Sequence, residues 1–214
     1  MTQYVVHAVL QQHRSFAAFA NANAKSEWMR LPPPDTGETT VGIMGMGILG
    51  KDAADTFKRL GFKVRGWSRS PKTIPGIECF HGMDGLPKFL SECRFVVCLL
   101  ALTPETTDIL NSKLFAALPR GAYVVNAGRG NHLVDADLVK ALDSGHLAGA
   151  TLDVFRTEPL PRDHAFWTHP KVIITPHVAA DAITRTAAPA LVDNIRRALA
   201  GQPLINQVDP VRGY

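Results

Sequence analysis

The chain has 214 residues and a mass of 23.2 kDa, and its 46% hydrophobic, 20% charged and 7% aromatic residues exclude a disordered tail, a collagen or a low-complexity filament. Its 23 basic and 19 acidic side chains leave a net charge of +4 and a pI of about 9.1. The longest basic runs are only the pairs Lys58-Arg59 and Arg196-Arg197, without an aromatic stacking motif, so no nucleic acid is expected and a small anionic ligand is favoured.

Residues 1–30 read as helical, with Tyr4, Val5, Ala8, Val9 and Leu10 near helical spacing and Phe16 and Phe19 continuing it. Trp28 is expected to anchor this region, and Trp67 and Trp167 to pack. The opening MTQYVVHAVLQQHR has neither a basic n-region nor a cleavage site, so secretion is not expected. LPPPDTGE at 31–38 breaks any helix and reads as a linker. From Thr39 the pattern becomes strand, turn, helix, repeated. The runs TTVGIM, FKVRGW, FVVCLL, AYVVNA, LAGATLDV and KVIITP are rich in Val, Ile and Leu, and KDAADTFKRL, SKLFAALP and DADLVKALDSG between them are helix-like. Near-continuous apolar strands alternating with helices predict a parallel sheet covered on both faces. Asp135 is available as an N-cap and Gly145 as a stop for the third helix, and a last helix is expected over roughly 179–200.

The longest apolar run, Phe95 to Leu102, is strand-sized, so no membrane partner is expected. Cys79, Cys93 and Cys98 show neither metal nor disulfide spacing; they read as small core residues in a cytoplasmic protein, and no metal is expected.

Gly45-Met46-Gly47-Ile48-Leu49-Gly50 follows the strand VGIM and opens a helix. In that context Gly45 makes the tight turn, Gly47 lets the backbone reach a pyrophosphate, and Gly50 lets helix and strand pack closely. The helix N-terminus then offers free N–H groups to the phosphates. An NAD site places an acid about 20 residues on, at the end of the second strand. Here Trp67-Ser68-Arg69-Ser70-Pro71-Lys72 has none. Ser68 stands in the acid's place, while Arg69 and Lys72 offer cations for a 2′-phosphate, worth about 1.5–3 kcal/mol per charge-assisted bond. NADP is expected, with NAD as the weaker alternative.

Ligands of open parallel sheets bind beyond the carboxyl ends of the strands. Those ends carry Thr103 after FVVCLL, Asn126 and Arg129 after YVV, Asp153 at the end of GATLDV, Glu158 in FRTEPLP and His177 after VIITP. One Arg, one Glu and one His therefore emerge on the edge that holds the dinucleotide loop.

The segments VGIMGMGILG, LLALTPETT, NAGRGNHLVDADLVKALDSGHLAGATLDVFRTEPLP and HPKVIITPHVAA closely resemble the D-isomer-specific 2-hydroxyacid dehydrogenases. WSRS and the tail QVDPVRGY point to their glyoxylate/hydroxypyruvate reductase branch. The resemblance implies an α/β, Rossmann-type doubly wound parallel sheet with flanking N- and C-terminal helices, acting on a small 2-oxo acid. It implies that Arg129 binds the substrate carboxylate and polarises the carbonyl, through a planar fork that Lys lacks. His177 would be the general acid and Glu158 would orient its ring. Asp153 would hold the nicotinamide carboxamide, and Thr103, with Leu100, Thr107 and Ala127, would line the cofactor.

By the same likeness residues 1–30 are a connecting and dimerisation region, 31–38 a linker, 39–178 the nucleotide-binding domain, and 179–214 a helix and tail belonging to a substrate domain. About 100 residues of that substrate domain are expected to be lacking, which is expected to leave the chain alone weakly active or inactive. A homodimer is expected, because Val5, Val9, Phe16 and Phe19 would otherwise form an exposed apolar strip. The remaining histidines, His7, His13, His81, His132, His146, His164 and His169, lack metal-like spacing and read as surface or packing residues. Two other classes fit less well. A corepressor-type nucleotide-sensing module would need a peptide-binding cleft. A 3-hydroxyacid dehydrogenase would need a catalytic Lys on a helical C-terminal domain.

Overall fold

The computed structural model describes residues 1–208, Thr186 by its backbone alone. The chain divides into two compact units, Met1–Ala179 and a second beginning at Ala180. The first is built on a seven-stranded, wholly parallel sheet in the order β3-β2-β1-β4-β5-β6-β7. Its strands are β1 (Thr40–Met44), β2 (Lys63–Ser68), β3 (Glu78–His81), β4 (Phe95–Cys98), β5 (Ala122–Asn126), β6 (Leu147–Leu152) and β7 (Val172–Ile174). Strand order reverses between β1 and β4, and the loops that leave those two strands flank the crevice where such sheets bind ligands.

Each central strand sends alternate residues to opposite faces. Val41 and Ile43 of β1, Phe95 and Val97 of β4, and Tyr123 and Val125 of β5 join the core beneath α1 (Thr2–His13) and α3 (Ile48–Arg59). Met44, Val96, Cys98 and Val124 join the core beneath α4 (Gly82–Leu90), α5 (Ser112–Ala117) and α6 (Asp135–Asp143). Both faces are therefore buried, which is why these strands read as unbroken apolar runs rather than alternating ones.

All six expected strands are present, and a seventh, β3, joins them at the edge beside β2. Residues 1–30 do not form one helix. The chain breaks at Ser15, whose φ of 58° is left-handed, and α2 (Phe16–Ala24) starts afresh. Trp28 is no anchor, being 95% exposed. Val5 and Val9 are fully buried, because α1 packs on α3 and β5 of its own unit; the apolar strip expected there does not exist, although Phe16 remains 60% exposed. Trp67 is buried, whereas Trp167 is half-exposed and donates its indole N–H to the Pro161 carbonyl. Asp135 does not cap α6; Val134 holds the cap position, and the Asp135 carboxylate lies 3.3 Å from His164 instead. Gly145 does follow the helix end in a left-handed turn.

The second unit contains α7 (Thr184–Leu199), which starts five residues later than 179 and ends where expected. Asn194 secures the chain after the helix through two bonds to the backbone of Ile205. Most of the tail QVDPVRGY lies outside the described residues. Among the described residues no helix is long and apolar enough to cross a membrane.

Candidate active site

The glycine loop joins β1 to α3 with the geometry its residues predict. Gly45 has a φ of 105° and lies against the backbone of Leu99. A Cβ on Gly50 would stand 1.9 Å from the Gly45 carbonyl oxygen, so helix and strand approach too closely for any side chain. Gly47, by contrast, has nothing within 4 Å of where a Cβ would be. Its outer side is open to a ligand. No side chain caps α3, so its first N–H groups remain available beside that opening, where Ile48 and Leu49 are exposed. Met46 contributes only backbone, because its side chain is buried against Gly66.

At the end of β2, Ser68 is buried and donates its hydroxyl to the Ser70 carbonyl. Arg69, Ser70 and Lys72 are exposed. Across the crevice, the loop after β4 is tied by Thr106, whose hydroxyl accepts from the Thr103 amide at 2.8 Å and donates to the Ala101 carbonyl at 2.8 Å. The Thr107 hydroxyl donates to the Thr103 carbonyl, and Leu100 is half-buried. The Thr103 hydroxyl, and then the charge of Arg69, hold the Glu105 carboxyl below the usual carboxylate range.

The loop after β5 presents Arg129. Asn126, wholly buried, braces it by accepting from the Gly128 amide and donating to the Arg129 carbonyl. Ala127 is buried at the same turn, while Arg129 is exposed and donates one guanidinium N–H to the Gly128 carbonyl at 2.7 Å. Among the described residues no carboxylate forms an ion pair with this guanidinium. The Arg129 amide donates to Nδ1 of His132.

Beyond β6 and β7 the general-acid candidate is held by a compact network. Nδ1 of His177 is 2.7 Å from Oε2 of Glu158, whose Oε1 accepts from the Phe155 amide at 2.9 Å. Burial works against a charged Glu158, but the hydrogen bonds from His177 and Phe155 and the positive charges of His177 and Arg129 outweigh it and set the carboxyl below its ordinary range. His177 has a φ of 58°, a left-handed conformation that costs a bulky residue about 1–3 kcal/mol. Asp153 holds that turn. Its carboxylate is 1% exposed and accepts from the Thr175 hydroxyl at 2.6 Å, the Val178 amide at 2.9 Å and the Ala179 amide at 2.9 Å. The residue expected to meet the nicotinamide is thus already engaged in folding the backbone around His177.

Arg129, Glu158 and His177 all lie beyond the carboxyl ends of strands of this sheet, and Glu158 is close enough to both others to feel their charge. Sequence reasoning passed over His132, Thr175 and Tyr4. Only His132 carried a signal, its place three residues after Arg129. Among the described residues no cluster of His, Cys, Asp or Glu could hold a metal ion.

The model of the D-isomer specific 2-hydroxyacid dehydrogenase NAD binding domain matches residues 6–179. The glyoxylate/hydroxypyruvate reductase A of Serratia proteamaculans is 45% identical over all 214 residues, which span 68% of that protein. The D-isomer specific 2-hydroxyacid dehydrogenase of Xanthobacter autotrophicus Py2, solved in complex with NADPH and MES, superposes with a TM-score of 0.96 at 48% identity, over 100% of this chain and 88% of that one. The NADPH-dependent glyoxylate/hydroxypyruvate reductase of Sinorhizobium meliloti, solved with NADP and sulfate, does so with a TM-score of 0.96 at 44% identity, over 100% of this chain and 69% of that one. The chain belongs to the D-isomer specific 2-hydroxyacid dehydrogenase family, the NAD(P)-dependent 2-hydroxyacid dehydrogenases, and carries that family's NAD-binding domain.

Proposed function

We propose that this chain serves the reduction of small 2-oxo acids, glyoxylate and hydroxypyruvate foremost, with NADPH. The 2.7 Å contact between Glu158 and His177 carries the reading. A carboxylate kept ionised accepts the Nδ1 proton, so the ring is oriented and Nε2 is left to give a proton to the substrate carbonyl oxygen. Arg129, without a carboxylate ion-pair partner among the described residues and fixed at its backbone, can meet the substrate carboxylate with two N–H groups and draw electron density from the neighbouring carbonyl. Intact Arg129, Glu158 and His177 favour an enzyme over a corepressor-type module.

The cofactor fits the residues present. Space beside Gly47, uncapped amides at the start of α3 and the cations Arg69 and Lys72, with no acid from 68 to 72, suit a dinucleotide bearing a 2′-phosphate. When bound, NADPH supplies the hydride. The NADPH and NADP complexes of the Xanthobacter and Sinorhizobium proteins support this choice over NAD.

A homodimer is part of the proposal, now resting on exposed Phe16, Trp28, Met29 and Leu31 rather than on α1. Light scattering across micromolar concentrations tests it. The catalytic reading is tested by replacing His177 with Ala, which should lower turnover of glyoxylate by about 10²–10⁴ while NADPH still binds. Running the assay on this chain alone, and on the chain joined to the part of the Serratia protein that it does not cover, shows whether the groups described here suffice.

A further inference from the structure

His132 lies in the short 3-10 turn Gly130–His132 after β5, with its imidazole completely buried between two loops of the site. Nδ1 is 3.1 Å from the backbone nitrogen of Arg129, which can only donate, so Nδ1 is an unprotonated acceptor. Nε2 is 3.3 Å from the carbonyl oxygen of Ala101, which can only accept, so the ring proton sits on Nε2. These two bonds select one neutral tautomer. Burial above all, and then the charge of Arg129, lower the ring's pKa against the opposing pull of the Ala101 carbonyl. The Cys98 thiol lies 3.6 Å from Nδ1 and is kept un-ionised because burial pushes it up to about 12.

Space-filling alone would be served better by an apolar side chain, since a buried imidazole gives up its hydration. This one spends both nitrogens on main-chain groups of different loops. One loop starts the side chain expected to bind the substrate carboxylate. The other runs through Ala101 between Leu100 and Thr103, on the rim expected to line the cofactor. We propose that His132 is a positioning residue that ties the Arg129 amide to the Ala101 carbonyl and so keeps the carboxylate-binding fork in register with the cofactor rim. The inference rests on the reading of Arg129 given above. Its physical basis is the steep sensitivity of reaction to placement, where a shift of about 1 Å costs on the order of 10²-fold.

Asn and Gln separate the two bonds. The Asn side-chain oxygen falls near the place of Nδ1, and the Gln amide reaches toward that of Nε2. In the holoenzyme, His132→Asn should hold the KM for glyoxylate within about threefold and weaken NADPH about tenfold. His132→Gln should do the reverse, raising KM about tenfold with NADPH binding nearly native. His132→Leu should lose both. Variants that all lower Tm yet leave KM and NADPH affinity native would reduce His132 to packing and overturn the proposal. Should the variants fail to fold, nitrogen NMR of the unsubstituted protein decides. Nδ1 should stay unprotonated and Nε2 protonated across about pH 5–8; the opposite tautomer, or a ring that titrates there, overturns it. Arg129→Ala separates the two readings. If it leaves KM unchanged, the role of Arg129 fails; if it raises KM while His132→Gln does not, only the role of His132 fails.

Discussion

Replacing Asp153 with Asn tests whether this buried carboxylate shapes the His177 turn or serves the cofactor. The carboxylate accepts three hydrogen bonds, two at Oδ1 and one at Oδ2. With its oxygen kept at the Oδ1 position, Asn retains bonds from Thr175 and Val178 but turns an NH₂ group toward the Ala179 amide. One charge-assisted bond is lost and a buried donor is orphaned, at a cost of about 1.5–3 kcal/mol. For a chain of this size each kcal/mol moves Tm by about 2–4 °C, so Tm should fall by about 3–12 °C. The Ala179 amide should exchange faster, and turnover should drop as the left-handed His177 backbone relaxes. Thermal denaturation, amide exchange and a glyoxylate reduction assay measure the three effects, and an NADPH titration shows whether cofactor binding is touched. Unchanged Tm and amide exchange, with NADPH affinity lost, would refute this and return Asp153 to the nicotinamide.

Arg69→Ala should weaken NADPH by about 10–100-fold and leave NADH alone, as fluorescence titrations would show; adding Ser68→Asp should turn preference toward NADH. Gly47→Ala should fold normally, because nothing lies within 4 Å of the added methyl, but bind NADPH more weakly; Gly50→Ala should cost about 3 kcal/mol or more in denaturant unfolding, because its methyl would meet the Gly45 carbonyl at 1.9 Å. Glu158 titrates lower folded than unfolded, so its stabilisation is complete above the unfolded carboxylate value and is lost as pH falls through the lowered folded one. The Tm gap between the native protein and Glu158→Gln should therefore be flat near neutrality and close only in acid; a gap that closed as pH rose would contradict the assignment.

What could be read in the sequence follows from how strongly each element depends on its own residues. The five inner strands were legible because burial on both faces forces unbroken Val, Ile and Leu, and the edge strand β7 because its run KVIITP is equally apolar. β3 was not, since an edge strand of four partly exposed residues carries no such constraint. α4 was hidden by Gly82, Gly85 and Pro87, residues that ordinarily mark loops. The polar residues at the strand ends were found because the sheet rule says where to look. His132 was set aside for the opposite reason: its importance lies in two backbone atoms, Arg129 N and Ala101 O, that no residue pattern reports. The same holds for Asp153, whose residue type suits a ligand contact, while its burial and three donors became visible only in the fold.

The opening helix shows how far that hidden layer extends. The Tyr4 hydroxyl lies 2.6 Å from the Thr175 hydroxyl, which donates its one proton to Asp153. Thr175 can therefore only accept from Tyr4, so the phenol must be the donor. Burial pushes Tyr4 up to about 12, which keeps that proton in place throughout the working range of the protein. The bonds thus run in one direction, from Tyr4 through Thr175 to the Asp153 carboxylate. That carboxylate in turn receives the amides just after His177. A helix whose Val5 and Val9 are sealed into the core beside α3 anchors this line at its far end. Residues that looked like material for a subunit contact instead help to hold the turn at His177, and the strain there is opposed by a chain of bonds that begins at the fourth residue.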